Sequence, residues 1–231
     1  MSRSEELAAN LAAVRRRIAA AADAAGRDAA EVTVVAVTKT WPAADVRLLS
    51  RLGVTDVGEN RDQEAAPKHA ACADLPVRWH FIGQVQRNKA ASVASYADVV
   101  HSVDRTVLVE ALDRHAERHG RRLTALVQVA LDGASGRGGV PPDRVPELAA
   151  AVAGSSSLDL GGVMAVAPVG ADADAAFARL AAVAADLRRA YPAATVVSAG
   201  MSGDLEAAIR HGATHVRVGT ALLGHRSPTF G

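Results

Sequence analysis

Eight short runs of β-branched and small apolar residues recur along the chain, each followed by a stretch with helical character. The runs fall at about 32–38, 54–58, 79–83, 98–101, 123–129, 161–165, 195–197 and 214–218. The helical stretches fall at about 43–51, from 59–61 onward, 84–94, 106–119, 141–153, 172–191, 203–211 and 220–223. Strands that alternate with helices predict a parallel sheet covered on its outer face. Eight repeats with no linker between halves predict a closed (β/α)8 barrel, with a doubly wound open sheet as the alternative. One domain over 1–231 is expected, preceded by an extra helix over about 4–25 in which Leu7, Leu11, Val14 and Ile18 share a face. Ser4 reads as the N-cap of that helix, and Arg15-Arg16-Arg17 as its solvated side. Aromatic residues are only 3% of the chain against 49% hydrophobic, so the core must be alanine, valine and leucine.

Charge narrows the function classes. Twenty-six basic residues face 25 acidic ones, so no broad positive field invites nucleic acid. No apolar run approaches the roughly 20 residues of a membrane span. The N-terminus carries Glu5 and Glu6 where a signal peptide needs basic residues. The single cysteine, Cys72, excludes an intrachain disulfide and a cysteine-based zinc site. A cytoplasmic protein that binds no nucleic acid and no membrane is expected. No metal site is expected either, because His115 and His119 lie one helical turn apart with no partner to complete a ligand set.

In a barrel the residues just after each strand line one mouth. The first run, Val32-Thr33-Val34-Val35-Ala36-Val37-Thr38-Lys39, ends abruptly on a lysine that packing does not require. A partly desolvated lysine there is a nucleophile toward carbonyls; otherwise it simply reaches out into water. Gly200-Met201-Ser202-Gly203 and Gly219-Thr220-Ala221 follow the seventh and eighth runs and open helices. Small residues at helix N-termini after these two strands make a phosphate cup. In the eighth run His215 and Arg217 share a face opposite Val216 and Val218, which directs an arginine into the barrel. Lysine, cup and arginine suit pyridoxal 5′-phosphate (PLP), and on these features alone a sugar-phosphate aldolase working through a lysine imine fits almost as well. Gly133-Ala134-Ser135-Gly136-Arg137-Gly138-Gly139 has P-loop spacing but lacks the Lys-Ser/Thr pair, so that reading is rejected. His80 and His101 are either core residues or part of the site.

Several strings then match a known family in order along nearly the whole chain. They are Val37-Thr38-Lys39, Gly58-Glu59-Asn60, Trp79-His80-Phe81-Ile82-Gly83, Gln86-Arg87-Asn88-Lys89, His101-Ser102-Val103-Asp104, Gly200-Met201-Ser202 and Val216-Arg217-Val218-Gly219-Thr220-Ala221. The chain resembles the pyridoxal phosphate homeostasis proteins, the YggS/PROSC family. The resemblance implies a barrel like the N-terminal domain of alanine racemase, with PLP bound as an imine to Lys39. It implies phosphate contacts from Ser202, Gly219 and Thr220, Arg217 near the pyridine nitrogen, and Asn60 beside the cofactor. Ala199, Ala130, Arg137 and Gly203 depart from the family's usual residues and put local loop contacts in question.

The same resemblance bears on turnover. Alanine racemase uses a tyrosine from a separate β domain as its second base. This chain ends at Gly231, soon after the eighth strand, and its two tyrosines, Tyr96 and Tyr191, fall on or near outer helices. An arginine at the ring nitrogen also weakens the ring as an electron sink. A PLP carrier with no catalytic residues is therefore expected, delivering cofactor to PLP-dependent apoenzymes and acting as a monomer. The alternative is a racemase-like PLP enzyme.

Overall fold

The computed structural model describes residues 1–132 and 138–224. Its centre is a closed barrel of parallel strands in the order β1-β2-β3-β4-β5-β6-β7-β8. The strands are β1 (Thr33–Val37), β2 (Asp56–Glu59), β3 (Arg78–Phe81), β4 (Val99–Val103), β5 (Leu123–Gln128), β6 (Leu158–Met164), β7 (Val196–Ser198) and β8 (His215–Val218). β1 pairs with β8 through Thr33↔His215 to Ala36↔Val218, which closes the ring. The open sheet is thereby excluded. A long N-terminal helix, α1 (Arg3–Ala24), precedes the barrel. The helices after the strands are α2 (Ala43–Arg51), α3 (Asp62–Ala71), α4 (Ala90–Tyr96), α5 (Thr106–Arg118), α6 (Val145–Ala153), α7 (Ala173–Ala190), α8 (Leu205–Arg210) and α9 (Thr220–Leu223).

The strands alternate as a barrel requires. Ala36, Val216 and Val218 pack outward against Leu7, Leu11, Val14 and Ile18 of α1. A larger outer cluster joins Val100, Val127 and Val163 to helix residues such as Leu108, Leu148 and Phe177. No helix among the described residues is long and apolar enough to cross a membrane.

Three local expectations are corrected. The N-cap of α1 is Ser2, not Ser4. The Ser2 hydroxyl accepts from the Glu5 amide and the Glu5 carboxylate accepts from the Ser2 amide, a reciprocal capping box that Ser4 could not form with its own third successor, Leu7. The arginine cluster is not merely solvated. Arg17 Nε donates to Glu206 Oε1 at 2.6 Å and its Nη2 to the Ser202 carbonyl at 2.9 Å, so α1 is tied to the loop after β7. The helix after β3 starts late, because a 3-10 turn at Arg87–Lys89 precedes α4.

Candidate functional site

Lys39 stands two residues beyond β1, at the carboxyl-end mouth, and is exposed. Among the described residues its ammonium makes no hydrogen bond or ion pair. The backbone around it is held tightly. The Trp41 amide donates to the Thr38 carbonyl at 3.0 Å, closing a four-residue turn with Lys39 at its second position. Thr40, at the third, has φ of 67°, a left-handed conformation that β-branched residues rarely adopt. Its amide donates to Glu64 Oε2 at 2.9 Å. Strain of this kind costs on the order of 1–3 kcal/mol and persists only where the surroundings enforce it.

The enforcing group lies on the helix side of the sheet. Lys68 of α3 donates to the Thr38 carbonyl at 2.8 Å and to Glu59 Oε1 at 2.5 Å. The Thr38 hydroxyl donates to the same carboxylate oxygen at 2.6 Å. Glu59 and Lys68 are both buried, and Glu59 Oε2 has no hydrogen-bond partner among the described residues. Burial pushes the Glu59 carboxyl above its usual range, and the bonds from Lys68 and Thr38 offset this only in part. The mouth-facing lysine is thus fixed from behind by a second lysine. The sequence marked Glu59 only as part of a string at the mouth and gave no sign of Lys68, nine residues downstream in a helix.

The corner expected to take an anion lies where β7 and β8 finish. A Cβ placed on Gly219 would lie 3.5 Å from Val37 Cβ, so the ends of β8 and β1 share one corner of the mouth with Lys39. Gly219 caps the short helix α9, and Thr220 is its exposed first residue. The Ser202 hydroxyl accepts from the Ala221 amide at 3.2 Å, which joins the loop after β7 to the start of α9. Ser202 does not cap α8; in the same loop Asp204 Oδ1 accepts from the Met201 amide at 2.6 Å. Ser202, Gly219 and Thr220 are therefore brought together.

Asn60 lies half-buried at the end of β2. A Cβ on Gly83 would sit 2.1 Å from the Asn60 carbonyl oxygen, so only glycine lets the loops after β2 and β3 come this close. Arg217 is buried inside the barrel, as the alternation of β8 predicts. Its Nη1 donates to Ser198 Oγ at 2.7 Å and its Nη2 to the Ala165 carbonyl at 2.9 Å. Among the described residues no carboxylate forms an ion pair with it. Burial lowers its pKa to about 10, which leaves it charged at neutral pH.

His80 and His101, unresolved from sequence, are both buried and hydrogen-bonded to each other at 2.8 Å. Tyr96 is buried against Asp62, and Tyr191 ends α7. Residues 133–137, which hold most of the glycine-rich loop and Arg137, lie outside the described residues.

The family described as "Alanine racemase, N-terminal domain" matches residues 9–227. A protein of Mycobacterium bovis named pyridoxal phosphate homeostasis protein is 48% identical, over 97% of this chain and 94% of its own length. One of the same name from Pseudomonas aeruginosa is 45% identical, over 95% of this chain and 96% of its own length. PipY of Synechococcus elongatus, solved with PLP bound, superposes with a TM-score of 0.80 at 36% identity, over 94% of this chain and all of that one. An alanine racemase from Clostridium difficile shares the fold at a TM-score of 0.74 and 15% identity, over 97% of this chain and 58% of that one.

Proposed function

The chain belongs to the pyridoxal phosphate homeostasis proteins, and on that premise we propose that it binds PLP at the barrel mouth through Lys39 and buffers or delivers it without substantial turnover. The site's residues fit the group. A bound PLP supplies an aldehyde that condenses reversibly with a primary amine, and a conjugated ring that draws electrons when its nitrogen is protonated. Lys39 offers the amine, free of any competing carboxylate among the described residues. Ser202, Gly219 and Thr220 take the phosphate with a hydroxyl, small side chains and the amides at the start of α9. Asn60, half-buried at the end of β2, would stand beside the ring.

Arg217 carries the choice of carrier over enzyme. It is a buried, fixed cation with spare N–H donors, and among the described residues no carboxylate is paired with it. Set against the pyridine nitrogen, such a group donates a hydrogen bond and keeps that nitrogen unprotonated, so carbanion chemistry gains little from the ring. Neither Tyr96, buried beside Asp62, nor Tyr191, at the end of α7, is positioned as a second base. The protein acts in the cytoplasm as a monomer and passes PLP to PLP-dependent apoenzymes.

The test is the visible spectrum of purified wild type and Lys39→Ala, before and after borohydride, with amino-acid turnover measured beside it. Wild type is expected to show a visible band that borohydride bleaches, leaving the label on Lys39, and turnover no faster than free PLP gives. A colourless protein that takes up no added PLP would refute the binding mode. Turnover well above free PLP would favour the racemase-like reading.

A further inference from the structure

Parallel eight-stranded barrels ordinarily fill their interior with branched apolar side chains. Here only part of the interior does so, through Val99, Leu126 and Met164 with Val196 packed on them. The rest holds a file of polar side chains. Asp56 Oδ1 meets His80 Nε2 at 2.8 Å, and His80 Nδ1 meets His101 Nε2 at 2.8 Å. His101 Nδ1 meets Ser198 Oγ at 2.9 Å, and Ser198 Oγ meets Arg217 Nη1 at 2.7 Å. Relative exposures from Asp56 to Arg217 are 5%, 1%, 0%, 0% and 4%, so water cannot substitute for any link.

The chemistry of the ends assigns the protons between. Burial raises the Asp56 carboxyl, but the bonds from His80 and Thr55 more than offset this and hold it below its usual range. It is an ionised acceptor at neutral pH, so His80 donates to it through Nε2 and accepts at Nδ1 when neutral. His101 must then donate through Nε2 and accept at Nδ1. Burial, with the nearby charge of Arg217, pushes His101 well below its usual pKa and keeps it neutral. The Ser198 hydroxyl donates to His101 and accepts from Arg217, which can only donate. Every proton in the file points from the cation at Arg217 toward the anion at Asp56. The surroundings agree: His215, which faces His80 at 6.1 Å between ring centroids, is lowered to about 4 by burial, and Arg78 approaches Asp56 at 4.0 Å.

We propose that His80 and His101 are positioning residues that couple the Asp56 carboxylate to Arg217, so that a charge at the amino end of β2 helps set the field at the PLP ring nitrogen. The inference rests on the reading above that Arg217 meets that nitrogen. Asp56 polarises the two imidazoles in turn. Ser198 Oγ becomes a stronger acceptor, which fixes the guanidinium plane and partly neutralises its charge.

The imidazole 15N shifts of the purified chain and the pH midpoint of the visible band of the PLP-loaded chain test this. Both histidines are expected as neutral Nε2–H tautomers. Asp56→Asn keeps the shape and removes the charge. It should lower the visible-band midpoint by several tenths of a pH unit, because less of the Arg217 charge is neutralised. Ser198→Ala cuts the file without a large cavity, so adding Asp56→Asn to it should shift the midpoint no further. A His101 Nδ1–H tautomer in wild type overturns the proposal. So does an unchanged midpoint in Asp56→Asn that still binds PLP, or an equal shift with and without Ser198. If Asp56→Asn fails to fold, the tautomers in wild type and in Ser198→Ala decide. Failure of wild type to take up PLP is a different result and overturns the underlying binding mode.

Discussion

Replacing Lys68 by methionine should destabilise the protein by about 3 kcal/mol at pH 7, and by much less in mild acid. Lys68 is the cation that faces the Glu59 carboxylate, which is 1% exposed. Breaking a buried pair by removing one partner typically costs about 3–5 kcal/mol, because a bare charge stays behind. Here the carboxylate has an escape, since it can take up a proton. That costs 2.3RT for each pH unit above its ordinary value of 4.5. The ceiling is then about 3.4 kcal/mol at pH 7 and about 1.4 kcal/mol at pH 5.5. For a chain of 231 residues this is a fall in Tm of roughly 7–14 °C at pH 7 and roughly 3–6 °C at pH 5.5. The sign is consistent: a folded-state pKa raised above the unfolded value stabilises below the unfolded pKa, and this is lost as pH rises toward the folded pKa. Thermal unfolding of wild type, Lys68→Met and Glu59→Gln/Lys68→Met across that pH range measures it. The double variant should recover most of the loss, since no uncompensated charge remains. A loss in Lys68→Met that does not vary with pH would refute the reasoning, as would a double variant no better than the single.

Gly83→Ala should destabilise by at least about 1–3 kcal/mol and weaken PLP uptake, because its Cβ would lie 2.1 Å from the Asn60 carbonyl; denaturant unfolding and spectroscopic titration check both. Thr40→Gly removes a left-handed β-branched residue but frees the unfolded chain, so stability should change by less than about 1 kcal/mol. Its measurable effect should be faster borohydride or hydroxylamine attack at Lys39, whose turn is loosened. Arg17→Met should change stability by under about 1 kcal/mol, since the Arg17–Glu206 pair is well exposed, yet weaken phosphate binding measured by competition with PLP, because the Ser202 loop loses its tether.

Local periodicity made the barrel legible. The strands are short and most carry β-branched residues, the long helices carry an apolar stripe, and the closing pair β1–β8 follows once eight units are counted. Strand-end positions made the mouth legible too, because a lysine after a buried strand and glycines before helices are local signals. The alternation of β8 placed Arg217 inside the barrel for the same reason. What could not be read depends on partners distant in the chain. Lys68 looks like any helix lysine until the fold sets it beneath Thr38. Arg17 looks solvated until α8 arrives beside α1. Asp56, His80, His101 and Ser198 come from four strands, and no spacing within one strand announces that they touch.

The N-terminal helix is held chiefly by α8 and α9, far along the described chain. Arg3 donates to the Leu223 carbonyl across 220 positions, Asn10 to the Leu222 carbonyl across 212, and β1 itself pairs with β8. On the ribosome the first helix therefore emerges long before its docking surface exists, with Leu7, Leu11, Val14 and Ile18 still uncovered. Contacts this distant in sequence slow folding and leave apolar surface open to other chains meanwhile. The same closure completes the corner shared by Lys39, Ser202 and Gly219. No nascent fragment that lacks β8 has that corner, so the proposed PLP site exists only once β8 has joined the barrel.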